Sequence, residues 1–110
     1  MSAELEGRPL ACVPGAIPAA ERAAHFALIQ RLFARAEARA AHADGYDFRF
    51  PADALEDIAR FVANERKCCP FQGFTITVPA DAAEVRLRLA GPRGTREFLD
   101  HELPKHGVEP

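Results

Sequence analysis

Tyr46-Asp47-Phe48-Arg49-Phe50 alternates aromatic and charged residues without a fault. Side chains of a strand point to opposite faces at every step, so this segment reads as a strand with one apolar and one charged face. Pro51 stops it, because proline has no N–H to give to a ladder. A sheet that is apolar on one side needs a cover, and the segments on either side of this strand decide what supplies it.

Downstream, Asp53 is a candidate N-cap with Glu56 three residues on, and the acids Glu56 and Asp57 suit the positive end of a helix dipole. A helix is predicted from about Ala54 into Cys68-Cys69, with Leu55, Ile58, Val62 and Cys69 on its apolar face. Pro70 ends it. Phe74-Thr75-Ile76-Thr77-Val78 and Val85-Arg86-Leu87-Arg88-Leu89 then alternate on either side of Pro79-Ala80-Asp81, the pattern of a β-hairpin. A short helix is expected from about Thr95 to Leu103, carrying Phe98, Leu99 and Leu103 to the core before Pro104.

Upstream, Pro18 to about His42 reads as the longest helix, with Arg22, Phe26, Ile29, Phe33, Ala36 and Ala40 along one face and Asp44-Gly45 closing it. Before it, Leu10-Ala11-Cys12-Val13 is a short extended run ahead of the Pro14-Gly15 turn signal. The order β-α-β-α-β-β-α, with one polar sheet face, predicts an α+β two-layer sandwich. Its sheet is mostly antiparallel with helices on one face. The expected core is Phe26, Ile29, Phe33, Phe48, Phe50, Ile58, Phe74, Ile76, Leu87 and Leu89.

The 110 residues, 48% of them hydrophobic, suit a single domain over residues 1–110, with loose ends at 1–9 and 104–110. A net charge of −2 argues against nucleic acid as a partner. No apolar run nears the ~20 residues that cross a bilayer, and Met1-Ser2-Ala3-Glu4-Leu5-Glu6 lacks a basic region followed by an apolar one. The expectation is a soluble cytoplasmic protein with no membrane partner. Three cysteines cannot all pair within one chain, and in a reducing cytosol they would be free thiols, transient redox groups or ligands.

The chemistry concentrates in Asn64-Glu65-Arg66-Lys67-Cys68-Cys69-Pro70-Phe71. Glu65 stands three and four residues before the two thiols, which puts it on their helix face. It could act as a base toward them, yet its charge opposes a thiolate; the helix C-terminus opposes it too, while Arg66 and Lys67 favour it. Adjacent Cα atoms are ~3.8 Å apart, less than the ~4.4 Å that a disulfide usually spans, so a Cys68–Cys69 bridge would be strained and reducible. Zinc prefers paired cysteines two to four residues apart. Softer ions such as Hg(II), As(III) or Cu(I) need only two or three sulfurs. Cys12, Cys68 and Cys69 are therefore the candidate ligands for a soft metal or metalloid ion, with His25 or His42 available to complete a zinc site, although a single His on an Ala-rich helix is usually a surface residue. Two alternatives stand beside this one. In the first, Cys68 and Cys69 do thiol–disulfide redox chemistry on a small thiol-reactive molecule. In the second, the cysteines are packing groups and the hairpin face of Thr75, Thr77, Arg86 and Arg88 meets a partner or a second copy, as a homodimer.

The motif Glu65-Arg66-Lys67-Cys68-Cys69-Pro70-Phe71 resembles that of a family of small, functionally uncharacterised bacterial proteins with a Glu-x-x-Cys-Cys-Pro-Phe signature. The resemblance extends to the Phe74-led strand, to Leu87-Arg88-Leu89-Ala90-Gly91-Pro92, to one early cysteine, Cys12, and to the following Arg22. Val13-Pro14 departs from the small residue and leucine expected after that cysteine. The resemblance implies that Arg22, on the apolar face of its helix, pairs with Glu65 or with thiolates, so that Glu65 and Arg22 lie behind the sulfurs and tune them. The competing expectation is that Arg22 snorkels to water.

Overall fold

The computed structural model describes residues 13–106 and 108. Helix α1 (Ala19–Phe33) is followed by strands β1 (Ala38–His42) and β2 (Gly45–Pro51), helix α2 (Leu55–Cys68), strands β3 (Gly73–Thr77) and β4 (Glu84–Ala90), and helix α3 (Thr95–Glu102). Short 3-10 turns occupy Pro14–Ala16, Ala52–Ala54 and Leu103–His106. The four strands form one antiparallel sheet in the order β1-β2-β4-β3.

The period-2 pattern does what it predicts. Tyr46, Phe48 and Phe50 of β2 and Val85, Leu87 and Leu89 of β4 are buried on one face, in register across the ladder, against Leu28, Ile29, Leu32 and Phe33 of α1, Ile58 and Phe61 of α2, and Leu99 of α3. Phe33 is the hub of this core: its ring meets Phe48, Phe50 and Phe61 edge-on, with centroids 4.9, 5.7 and 5.2 Å away. Such edge-to-face contacts align the positive rim of one ring with the negative face of the next. The opposite sheet face, with Arg49, Thr75, Thr77, Arg86 and Arg88, is exposed. The fold is thus α+β with two layers, as expected.

Its element order differs from the expected one in two places. The first helix ends at Phe33, not near His42, and Ala38–His42 is a strand paired with β2. The reason lies in the turn: His42 pairs with Gly45, which leaves a two-residue Ala43-Asp44 loop, so Asp44-Gly45 is a hairpin signal and not a helix stop. Pairing with the free edge of β2 satisfies backbone groups and outweighs the helical preference of Ala-Arg-Ala-Ala, which is weak per residue. Gly45 is required for another reason: a Cβ there would lie 1.9 Å from the Leu89 carbonyl oxygen. The second difference is at the start, where the strand expected over Leu10–Val13 lies outside the described residues except for Val13, which belongs to no strand.

Two residues expected in the core are at the surface. Phe26 is 46% exposed, because the buried stripe of α1 runs through His25, Leu28, Ile29, Leu32 and Phe33, one position round from the stripe expected. Ile76 is exposed at the far end of edge strand β3.

Candidate functional site

The last turn of α2 builds one wall of the site. Cys69 leaves helical geometry as the C-cap, its N–H still donating to the Glu65 carbonyl at 2.8 Å, and Pro70 prevents a further turn. The chain then folds back, with the Gln72 N–H donating to the Cys69 carbonyl at 3.1 Å. The first described residue, Val13, donates its N–H to the Cys68 carbonyl at 2.6 Å. That bond uses one of the acceptors a helix end leaves free, and it holds Val13 against the last turn of α2.

Cys68 and Cys69 are both free thiols, 9% and 2% exposed, in a small core of their own with Ile17 and Phe71. Phe98 of α3 closes it, its ring edge-on to Phe71 with centroids 5.0 Å apart. A cavity of about 30 Å³ lies against Cys69, Glu65, Gln72 and Glu102, with apolar residues around the rest. Its size suits one or two waters, or one ion.

The other wall comes from α1. His25 is only 3% exposed, and its Nε2 lies 2.7 Å from Glu65 Oε2. The second carboxylate oxygen of Glu65 accepts from Cys69 Sγ at 3.3 Å, while Cys68 Sγ lies 3.5 Å from the Glu65 backbone carbonyl oxygen. The donor atoms of His25, Glu65 and Cys68 all lie within 4.8 Å of one another. His25 Nδ1 is buried and has no hydrogen-bond partner among the described residues. A buried polar atom in that state is costly unless something occupies it.

These contacts reset the ionisation of the site. Hydrogen bonding from Cys69 is the largest influence on Cys68; burial and the Glu65 charge work against it, His25 works with it, and the thiol falls from 9.0 to about 6. For His25, burial is the largest single influence and disfavours the charge, but its hydrogen bonds with Cys68 and Glu65 and their negative charge outweigh it and raise the imidazole from 6.5 to about 9. The two shifts run in opposite directions, and each favours the charged form of its group, a Cys68 thiolate beside a His25 imidazolium. The influences legible in the sequence point to no strong activation, because they include neither the hydrogen bond from Cys69 nor the neighbouring imidazole of His25. Its signal was present: His25 lies three and four residues before the buried Leu28 and Ile29, on the same helix stripe.

The remaining candidates are placed as follows. Arg22 does not pair with Glu65; its Nε donates to the Ile17 carbonyl at 3.1 Å, and Glu65 is taken by His25. Arg22 thus holds the backbone of a residue that packs on both thiols. His42 lies on the β1–β2 hairpin, with Nε2 3.5 Å from Asp47 Oδ1, and takes no part in the thiol site. Cys12 lies outside the described residues. No helix among the described residues is long and apolar enough to cross a membrane.

No protein-family model matches the chain, and neither a curated protein nor a solved structure does.

Proposed function

We propose that this chain binds a soft metal or metalloid ion such as Hg(II), As(III), Cu(I) or Zn(II) through Cys68, Cys69 and Cys12, with His25 and Glu65 completing the donor set. The observation that carries the reading is the convergence of a thiol, an imidazole and a carboxylate within 4.8 Å in a buried site. Thiolates select soft ions, and imidazole extends the choice to copper and zinc. Two further features support it. The buried Nδ1 of His25, without a hydrogen-bond partner among the described residues, is a ligand atom in the neutral form of the ring, which an incoming cation favours. The bond from Val13 to the Cys68 carbonyl ties down the residue that follows Cys12, which favours that sulfur as the third. A cation would also balance the negative charge that Cys68 and Glu65 bring together, and it would complete the ionisation of Cys69, since a coordinated thiol loses its proton. The reading places the protein in a reducing compartment, the cytoplasm, where thiols stay reduced.

The test is to purify the protein without chelators or a metal-affinity tag, measure bound metal, and count reactive thiols with and without each ion. Protection of all three thiols at one equivalent supports the reading. Thiols equally reactive with and without every ion would overturn it.

One arrangement favours a second reading, thiol redox chemistry: Cys68 and Cys69 are neighbouring free thiols, and hydrogen bonding from Cys69 and His25 lowers the Cys68 thiol. The thiolate is the reactive form toward peroxides, and a neighbouring thiol can resolve the sulfenic acid as a disulfide with loss of water. Loss of two thiols on peroxide treatment, recovered by a reductant, would support it.

A further inference from the structure

The cavity of about 30 Å³ beside Cys69 is enclosed by residues of α1, α2, β4 and α3. Cys69, Glu65, Gln72 and Glu102 give it a polar side, and Phe33, Phe61 and Phe98 are among the apolar groups that close it. Glu102 is engaged outside the cavity, accepting from Lys105 at 3.2 Å. Gln72 is not engaged in that way. It is only 8% exposed, its backbone N–H is taken by the Cys69 carbonyl, and its side-chain amide has no hydrogen-bond partner among the described residues. A buried amide in that state is costly, and it lines a void that already touches a thiol and a carboxylate.

We infer that Gln72 is a further ligand of the ion, and that the cavity takes a borderline divalent ion of the Zn(II) class, which binds oxygen as well as sulfur. The inference rests on the ion-binding reading above and narrows it. Hg(II) and Cu(I) are satisfied by two or three sulfurs and gain little from an amide oxygen. Zinc takes four donors drawn from sulfur, nitrogen and oxygen. With Zn–S about 2.3 Å and Zn–O about 2.1 Å, a sulfur and an oxygen on a tetrahedral zinc stand about 3.6 Å apart. Cys69 Sγ and Glu65 Oε1 are 3.3 Å apart, so this pair has only to part by a few tenths of an ångström. The thiol proton between them leaves to water as the metal takes its place. The other oxygen of Glu65 is held by His25 Nε2 at 2.7 Å, the kind of bond that orients a ligating carboxylate.

The experiment titrates the full metal-free chain with Zn(II) against a chromophoric chelator and, separately, counts thiols protected by Hg(II). Gln72→Leu keeps the bulk of the side chain and removes its oxygen, whereas Gln72→Glu keeps an oxygen donor. Gln72→Leu should weaken Zn(II) binding by about tenfold to 100-fold, the scale for losing a group that supports a metal, and leave the Hg(II) stoichiometry unchanged. Gln72→Glu should bind Zn(II) at least as tightly as the wild type. Urea unfolding of the metal-free variants shows whether they fold. If Gln72→Leu does not, Gln72→Glu carries the test, and weaker Zn(II) binding by that variant overturns the inference. Unchanged Zn(II) binding by a folded Gln72→Leu overturns it, and so does an equal loss of both ions, which would mark Gln72 as a packing residue. A wild type that protects its thiols with Hg(II) but takes no Zn(II) sinks this inference and leaves the ion-binding reading standing, and one that takes neither sinks both.

Discussion

His25 Nε2 and Glu65 Oε2 lie 2.7 Å apart across the α1–α2 interface, although 40 positions separate them in the chain. The pair fixes the crossing of the two helices and also sets the charge of the thiol site. His25 sits in the middle of α1, so any shift of that helix along α2 would move the imidazole off the carboxylate.

Replacing His25 by Gln tests both roles. Removal of the imidazolium leaves a largely buried carboxylate without its charged partner, a loss of about 1–3 kcal/mol. Urea unfolding at pH 7 should show that loss, and the Cys68 thiol should titrate closer to its ordinary value. A variant as stable as the wild type, with an unchanged thiol, would mean that the pair does neither.

The two shifted groups make opposite contributions to the pH dependence of stability. Cys68 is depressed from 9.0 to about 6, so its contribution is fully present above pH 9 and is lost as pH falls toward 6. His25 is raised from 6.5 to about 9, so its contribution is fully present below pH 6.5 and is lost as pH rises toward 9. Between these limits one rises while the other falls, and stability should be nearly flat. Cys68→Ser removes the rising contribution and the share of the His25 shift that Cys68 supplies, so its stability should decline as pH rises above 6.5, through the smaller shift that Glu65 alone sustains, where the wild type does not. Ultraviolet thiolate absorbance should show a midpoint near pH 6 that Cys68→Ser abolishes.

Gly45→Ala should destabilise the fold by more than ~2 kcal/mol, the scale expected when an atom is forced into packed backbone. The added Cβ would lie 1.9 Å from the Leu89 carbonyl oxygen, and Leu89 is held on β4 between β2 and β3. Thermal unfolding measures it. The glycine was legible in the sequence only as the close of a helix; the close approach that demands it was not, because it depends on which strand lies next to β2.

The same limit explains which parts of the fold and site could be read in advance. The strands Tyr46–Phe50 and Val85–Leu89 announce themselves because their two faces meet different environments, core and water, and the alternation records that. The end of α2 was legible because Pro70 forbids a further turn whatever surrounds it. Glu65 was legible as a partner of the thiols because a helix fixes i, i+3 and i+4 neighbours locally. For His25 the local period records only burial, through its place on the stripe of Leu28 and Ile29; its pairing with Glu65 comes from a helix elsewhere in the chain, and no local period records that. Ala38–His42 was hidden for a related reason. An edge strand exposed on both faces carries no burial pattern, and its small residues favour a helix until a neighbouring strand claims them.

Ala40 offers a clean test of that last point, since strand and helix demand opposite signs. It is exposed on β1, opposite Asp47 in the ladder. In a helix, Ala40→Thr would cost about 0.5 kcal/mol, because threonine loses side-chain freedom against the preceding turn. On a paired strand the branched side chain lies favourably on the pleated surface, and the same change should stabilise by a few tenths of a kcal/mol up to about 1 kcal/mol. A rise in the urea midpoint with an unchanged m-value is the expected result. A fall of similar size would return residues 38–42 to the helix and leave β2 as the edge of the sheet.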